Sequence, residues 1–294
     1  MKKLRLLLPF LAFSFFVIPN TIGQDFDWGQ TQDSDDILFS IEGLSGPEAV
    51  RYDSEMDVYF VSNFNSREEG DGFITKADAE GNVLDLKFMV GTDEYPLNDP
   101  RGMFIIGEEL FVADAQGVFV FNKKSGELNR FIDFSSFEPG FLNDISADVD
   151  GTLYVTDTGK TQLYRIIDNI AEIYIESVPI YANGITLDPA TNGFVLGSWR
   201  GESKVYGFNE SGIIEEYAEF SGGLFDGLEF VGENLIITSQ ADSTLKHYVP
   251  GGRDRSMIKT PGRPADIGLD TKRHRIAVPY IALDRVDVWA IPKK

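Results

Sequence analysis

Several groups of oxygen-bearing side chains in this chain stand where they could hold a cation. The first is local. In "FLNDISADVDGTLYVTDTG", Ser146, Asp148, Asp150 and Gly151, with Asp157 beyond them, follow the spacing of an EF-hand calcium loop. An EF-hand loop, however, starts on an acid, ends on a bidentate Glu and lies between two helices. Here the first position is Ser146 and the last is Asp157, and both flanks alternate apolar and polar residues as strands do. "DVDG" therefore reads as a hairpin turn. The second set is dispersed: Glu48, Arg101, Asn143, Asn183 and Asp226, each at the head of a short apolar run, with Ala265 heading a sixth.

Composition narrows the chemistry open to these residues. There is no cysteine, so thiolate ligands, disulfides and cysteine nucleophiles are excluded. His247 and His274 are the only histidines, too few for a His-rich zinc centre. They read as a strand residue and a turn residue. Ser198 and Ser239 lack the Gly-x-Ser-x-Gly setting of a nucleophile elbow. A metal site in this chain must be built mostly from oxygen, which suits Ca²⁺ first and Mg²⁺ or Mn²⁺ next.

The formal charge of the 294 residues is −21. Residues 1–23 hold Lys2, Lys3, Arg5 and no acid, so the remainder carries 23 basic and 47 acidic residues, or −24. Such a surface repels nucleic acid and anionic membrane. Residues 1–23 join a basic start to the apolar run Leu6 to Ile18 and a small-residue end, the signature of a cleaved secretory signal. No other run is long enough to span a bilayer. We therefore expect a signal peptide over 1–23, an acidic, loosely ordered leader over 24–36, and an exported, periplasmic or secreted domain over 37–294, with no membrane attachment after cleavage.

The elements that position the dispersed residues emerge from a repeat. Six segments share one pattern: a polar residue flanked by Gly or Pro, an apolar strand, a turn, and a second strand ending in small or polar residues. They begin at Pro47, Pro100, Leu142, Ala182, Phe225 and Pro264, so successive starts lie 53, 42, 40, 43 and 39 residues apart. The longest interval holds the insertion "NSREEGDG", residues 65–72. A period near 40 residues with short strands rich in Val, Ile, Phe and Tyr predicts an all-β, six-bladed β-propeller. The last repeat is one strand short, and "DILFSIEG" near the N-terminus can supply that strand and close the ring. Tyr154, Tyr164, Trp199 and Trp289 are expected to pack between blades; the alternative for Trp199, in "GSWRGES", is a loop that borders the channel and stacks on a carbohydrate.

In a propeller the innermost strands line a central channel, so equivalent positions meet around one axis. Glu48, Arg101, Asn143, Asn183, Asp226 and Ala265 then form one ring: two carboxylates, two carboxamides, a guanidinium and a blank. The Asn-Gly and Asp-Gly steps at Asn183 and Asp226 are also common turn sequences before strands. Glu48 has no such explanation.

These residues also carry a resemblance. From about Gly46 to Ile291 the chain resembles the senescence-marker-protein/gluconolactonase/luciferin-regenerating-enzyme family of six-bladed propellers. The matching motifs are Glu48 in "PEAVRYD", Asn183 in "ANGITLD", Asp226 in "FDGLEF" and Asn143 in "LNDISADVDGTLYVTD". The resemblance implies one divalent cation (Ca²⁺ foremost, with Mg²⁺, Mn²⁺ or Zn²⁺ as alternatives) held by Glu48, Asn183 and Asp226, with Asn143 ligating or contacting substrate. It implies metal-dependent hydrolysis of a lactone or related ester. By their positions in the ring, Asp226 is the expected general base and Arg101 is expected against the developing charge or a substrate carboxylate. The chain departs from the family where Ala49-Val50 follow the metal Glu, and where Arg101 enters the ring. It departs again at Phe141, which stands where some members have the Arg that holds a sugar acid. The alternative expectation is a non-enzymatic, metal-stabilised propeller that binds a ligand or a protein.

Overall fold

The structure, a computed structural model, describes residues 30–64, 68–200 and 203–291. The expected signal peptide, much of the leader and part of the "NSREEGDG" insertion lie outside these residues.

Every strand of the fold belongs to one of six four-stranded antiparallel sheets. The innermost strands are Pro47–Asp53, Met103–Ile106, Leu142–Ala147, Ala182–Leu187, Phe225–Val231 and Gly268–Asp270, which define blades 1 to 6. The second strands are Val58–Asn63, Glu109–Asp114, Leu153–Asp157, Phe194–Ser198, Asn234–Ser239 and Arg275–Tyr280. Among the described residues no helix is long and apolar enough to cross a membrane.

Burial explains why these sequences form blades. The inner and second strands are buried along most of their length, as in "VYFVSN" and "LYVTD", polar ends included, because neighbouring blades cover both of their faces. The outer strands are amphipathic, with residues such as Leu84 and Ile170 exposed. The buried apolar residues fall into six clusters, each drawn from two adjacent blades. Tyr164 and Phe134 join blades 2 and 3, for example, and Tyr154 and Phe208 join blades 3 and 4. Trp289 is fully buried between blades 5 and 6.

The ring closes as the repeat predicts. Blade 6 takes its outermost strand, Phe39–Ile41, from the N-terminal end of the domain, and Phe39 pairs with Val288. The described end of the leader is better fixed than its composition suggests. Gln32 bridges Ile258 of blade 5, the Trp289 indole donates to the Asp33 carbonyl at 3.2 Å, and Asp33 and Asp36 cap a short 3-10 turn. The acidic residues satisfy that turn's own N–H groups, so charge does not prevent docking.

"DVDG" closes the hairpin between the first two strands of blade 3. Asp148 N–H donates to the Thr152 carbonyl, the Asp148 carboxylate accepts from Asp150 and Thr152, and Gly151 takes the positive φ. It lies at the far end of the Leu142–Ala147 strand from Asn143.

Candidate functional site

One local device recurs in four blades and presents the polar residues. The ladder between the first and second strands shifts register between Pro47 and Val50, Leu142 and Ile145, Ala182 and Ile185, and Phe225 and Leu228. Each shift leaves two inner-strand residues outside the regular ladder, a bulge that re-aims side chains. The first of each pair is Glu48, Asn143, Asn183 or Asp226. The freed backbone N–H groups are satisfied by hydroxyls on the second strand: Ser62 accepts from Ala49, Thr156 from Asp144, and Thr238 from Gly227.

The second residue of the pair is small in most blades, because the inner strands crowd together there. A Cβ on Gly184 would meet the Asp226 carbonyl oxygen at 1.8 Å, and one on Gly102 would meet the Asp144 carboxylate at 2.3 Å. Cross-blade hydrogen bonds use this closeness. Gly102 N–H donates to the Asn143 carbonyl, Asp266 N–H to the Glu48 carbonyl, and the Thr156 hydroxyl to the Asn183 carbonyl at 2.7 Å.

In four blades the loop entering the inner strand is held by the last residue of the second strand: Asn63, Asp114, Asp157 or Ser239. The Asp114 carboxylate accepts from Asn98 and Asp99 just before Arg101, and Asp157 accepts from Gly140 and Phe141 just before Asn143. The polar strand ends seen in the sequence thus act as anchors at the channel mouth.

Glu48, Asn143, Asn183, Asp226 and Arg101 are all buried. Asp226 is held through one oxygen, which accepts from Gln240 at 2.6 Å, and Asn183 also donates to this carboxylate. Among the described residues Glu48 Oε2, Asn183 Oδ1 and Asp226 Oδ1 are buried without a hydrogen-bond partner. Burial pushes the Glu48 carboxyl well above the ordinary range, Asp226 and Asp266 raise it further, and Arg101 opposes them. Burial likewise raises Asp226, with Asp266 adding to it and Gln240 and Asn183 opposing. Three unpartnered oxygens, on two carboxylates and a carboxamide, form a site whose negative charge Arg101 offsets in part. Among the described residues no group of three or more His, Asp or Glu side chains stands in metal-holding geometry. Any cation here would depend on the carboxamides as well as the two acids.

Arg101 and Ala265 sit just before their inner strands rather than within them, because regular pairing starts at Met103 and Gly268. Arg101 pairs with Asp99 at 3.7 Å rather than with a ring carboxylate, and its guanidinium lies over Phe141 at 3.9 Å.

Four residues beyond the sequence-derived ring complete the channel. Below the ring, Arg51 ion-pairs with Asp266 at 2.8 Å and Asp144 at 3.3 Å, and donates to the Val50 and Ile267 carbonyls. Burial works against its charge, but Asp266, Asp144 and Glu229 outweigh burial and hold it protonated. Asp144 also accepts from the backbone of Ile145 and Ile185, tying blade 3 to blade 4. The blank at Ala265 is therefore filled by its neighbour Asp266. The signal was present one position along: Ala49, Gly102, Asp144, Gly184, Gly227 and Asp266 is a small-residue column interrupted by two acids.

Trp199 departs from the expected packing between blades. It is 36% exposed, follows directly after the second strand of blade 4, and donates its N–H to the Tyr181 carbonyl at the channel mouth.

No family model and no curated protein matches the sequence. Solved structures do share the fold. A calcium-binding regucalcin from Agrobacterium tumefaciens aligns with TM-score 0.69 at 14% identity, over 90% of this chain and 96% of its own. A streptogramin B lyase aligns with TM-score 0.61 at 14% identity, over 87% of each chain. Virginiamycin B lyase from Staphylococcus aureus aligns with TM-score 0.59 at 15% identity, over 87% and 89%. At these identities the likeness establishes the six-bladed propeller.

Proposed function

We propose that the protein is an exported, metal-dependent hydrolase of lactones or related esters, akin to the senescence-marker-protein/gluconolactonase family. The observation that carries this reading is the trio of unpartnered, buried oxygens on Glu48, Asn183 and Asp226, drawn from three blades. Hard oxygen donors of this kind fit Ca²⁺, with Mg²⁺, Mn²⁺ or Zn²⁺ as alternatives. The fold likeness to a calcium-binding regucalcin supports the same choice.

Glu48, Asn183 and Asp226 would hold the cation, with Asn143 as a further ligand or a donor to the substrate carbonyl. When bound, the cation would supply Lewis-acid polarisation of that carbonyl. Asp226 is the general base in this reading. Gln240 orients the carboxylate through Oδ2, and the carboxylate takes a proton from the attacking water. That water forms the new C–O bond, the lactone or ester C–O bond breaks, and the leaving oxygen takes the proton from Asp226 and becomes a hydroxyl. Arg101 faces the substrate from blade 2.

The test is a panel of lactones and aryl esters with and without chelator. Turnover is expected to disappear with chelator and return with Ca²⁺. In Asp226→Asn it should fall by about 10²- to 10⁴-fold while the melting curve stays cooperative. Undiminished turnover in that variant removes Asp226 from the base role. Chelator-sensitive melting with no turnover on any substrate would instead identify a binding platform.

A further inference from the structure

Two guanidinium groups lie over aromatic rings at the channel mouth, and the rings occupy corresponding places in their blades. Phe141 stands two residues before Asn143, as Tyr181 stands two before Asn183. Phe64 directly follows the second strand of blade 1, as Trp199 follows that of blade 4. Arg101 lies over Phe141 at 3.9 Å and Phe64 at 4.9 Å; Arg200 lies over Tyr181 at 5.0 Å and Trp199 at 5.4 Å. Stacking of this kind covers the face of a guanidinium and leaves its edge, where the N–H donors point, for an in-plane carboxylate.

Arg101 is only 4% exposed, yet among the described residues its edge meets the Leu142 carbonyl at 3.3 Å and Asp99 at a loose 3.7 Å. Burial lowers its pKa and outweighs Glu48, Asp99 and Asp114, which offset its charge through space, so a further anion at the edge would stabilise it. A cation held by Glu48 would sharpen that need by placing a second positive charge beside Arg101. Tyr181, Trp199 and Arg200 are exposed, so the blade 4 cluster can be reached from solvent.

We propose that the site takes a substrate bearing a carboxylate of its own, seated against the edge of Arg101, with Tyr181, Trp199 and Arg200 as the outer wall for the rest of the molecule. The substrate class is then an anionic lactone or ester. Hydrolysis consumes one water and releases one proton: a lactone opens at its ring C–O bond to a hydroxy dicarboxylate, and an open-chain ester gives an alcohol and a carboxylate. The turnover arm of this proposal rests on the hydrolase reading; the binding arm does not.

The binding arm is calorimetric titration of glutarate, an unreactive dicarboxylate, into the full chain with Ca²⁺ present. Binding is expected to weaken by about 10- to 100-fold in Arg101→Gln, the worth of a lost charge-assisted pair, and by less in Arg200→Gln. No glutarate binding by the unaltered protein, or equal binding by both variants, overturns the proposal. Should Arg101→Gln fail to fold, Arg101→Lys and the rim variant Arg200→Gln carry the test. The turnover arm compares γ-butyrolactone with the same ring bearing a carboxylate on its γ carbon. A preference of about tenfold for the carboxylate form, lost through KM in Arg101→Gln, is expected. Glutarate binding without turnover of either lactone would leave the anion site standing and remove the hydrolase. Equal turnover of both lactones without glutarate binding would do the reverse.

Discussion

At the scale of single residues, the channel concentrates carboxylates that burial makes reluctant to ionise. Glu229 shows the consequence outside the candidate ligand set. Burial pushes its carboxyl up to about 7 from 4.5, Asp266 adds to the shift and Arg51 opposes it. Between those two values the folded chain keeps a proton that the unfolded chain has lost. Stability therefore decreases as pH rises through this window and is fully present only below it. The melting temperature of cation-free protein is expected to fall between about pH 5 and pH 7.5, and Glu229→Gln should flatten part of that slope. A steeper slope in the variant would contradict the assignment. The sequence displayed Glu48, Asn143, Asn183 and Asp226 because each heads a repeat. It hid Arg51 and Glu229, which stand three residues beyond Glu48 and Asp226 in a polar column with Ser146 and Thr186, inside the apolar runs rather than at their heads.

At the scale of elements, the bulge matters more than the strand. A regular ladder would alternate Glu48 and Ala49 between the two faces of the sheet, whereas the register shift re-aims Glu48 and sets Ala49 against the neighbouring blades. Four blades use the same shift, and Ser62, Thr156 and Thr238 satisfy the N–H groups it frees. The shift works only if the next blade can approach, hence the glycines. Gly184→Ala would drive a methyl group into the Asp226 backbone carbonyl. We expect a melting temperature lower by roughly 3–10 °C, from an overpacking cost of about 1–3 kcal/mol or more. Ca²⁺ should protect the variant less than the parent, because the displaced segment carries Asp226. Unchanged melting would show that blades 4 and 5 can separate there. The period and the small or polar strand ends were legible in the sequence; the bulges were not, since one extra residue leaves the apolar run intact. Trp199 was misplaced for a related reason. Aromatic residues within strands pack between blades, but Trp199 lies one residue past the strand's end, where the chain has already turned to the mouth.

At the scale of the whole molecule, six inter-blade clusters make each blade depend on two neighbours, and closure lets all six share that dependence. The repeat fixed the number of blades and the missing strand in advance, because burying two faces of every sheet leaves few other solutions for a period near 40 residues. The seam has a consequence for the chain's timetable. Phe39–Ile41 is made before every other strand of the ring, yet its partner, Arg285–Ala290, is made after them. The ring cannot lock until that last strand has emerged, so the finished channel, with its polar residues in register, exists only once all six blades are made. A chain lacking residues 30–41 should melt earlier and expose the edge of blade 6, and a synthetic peptide spanning residues 37–43 should complement it in trans. Failure of the peptide to raise the melting temperature would mean that the seam is secured by its neighbours rather than by its own strand.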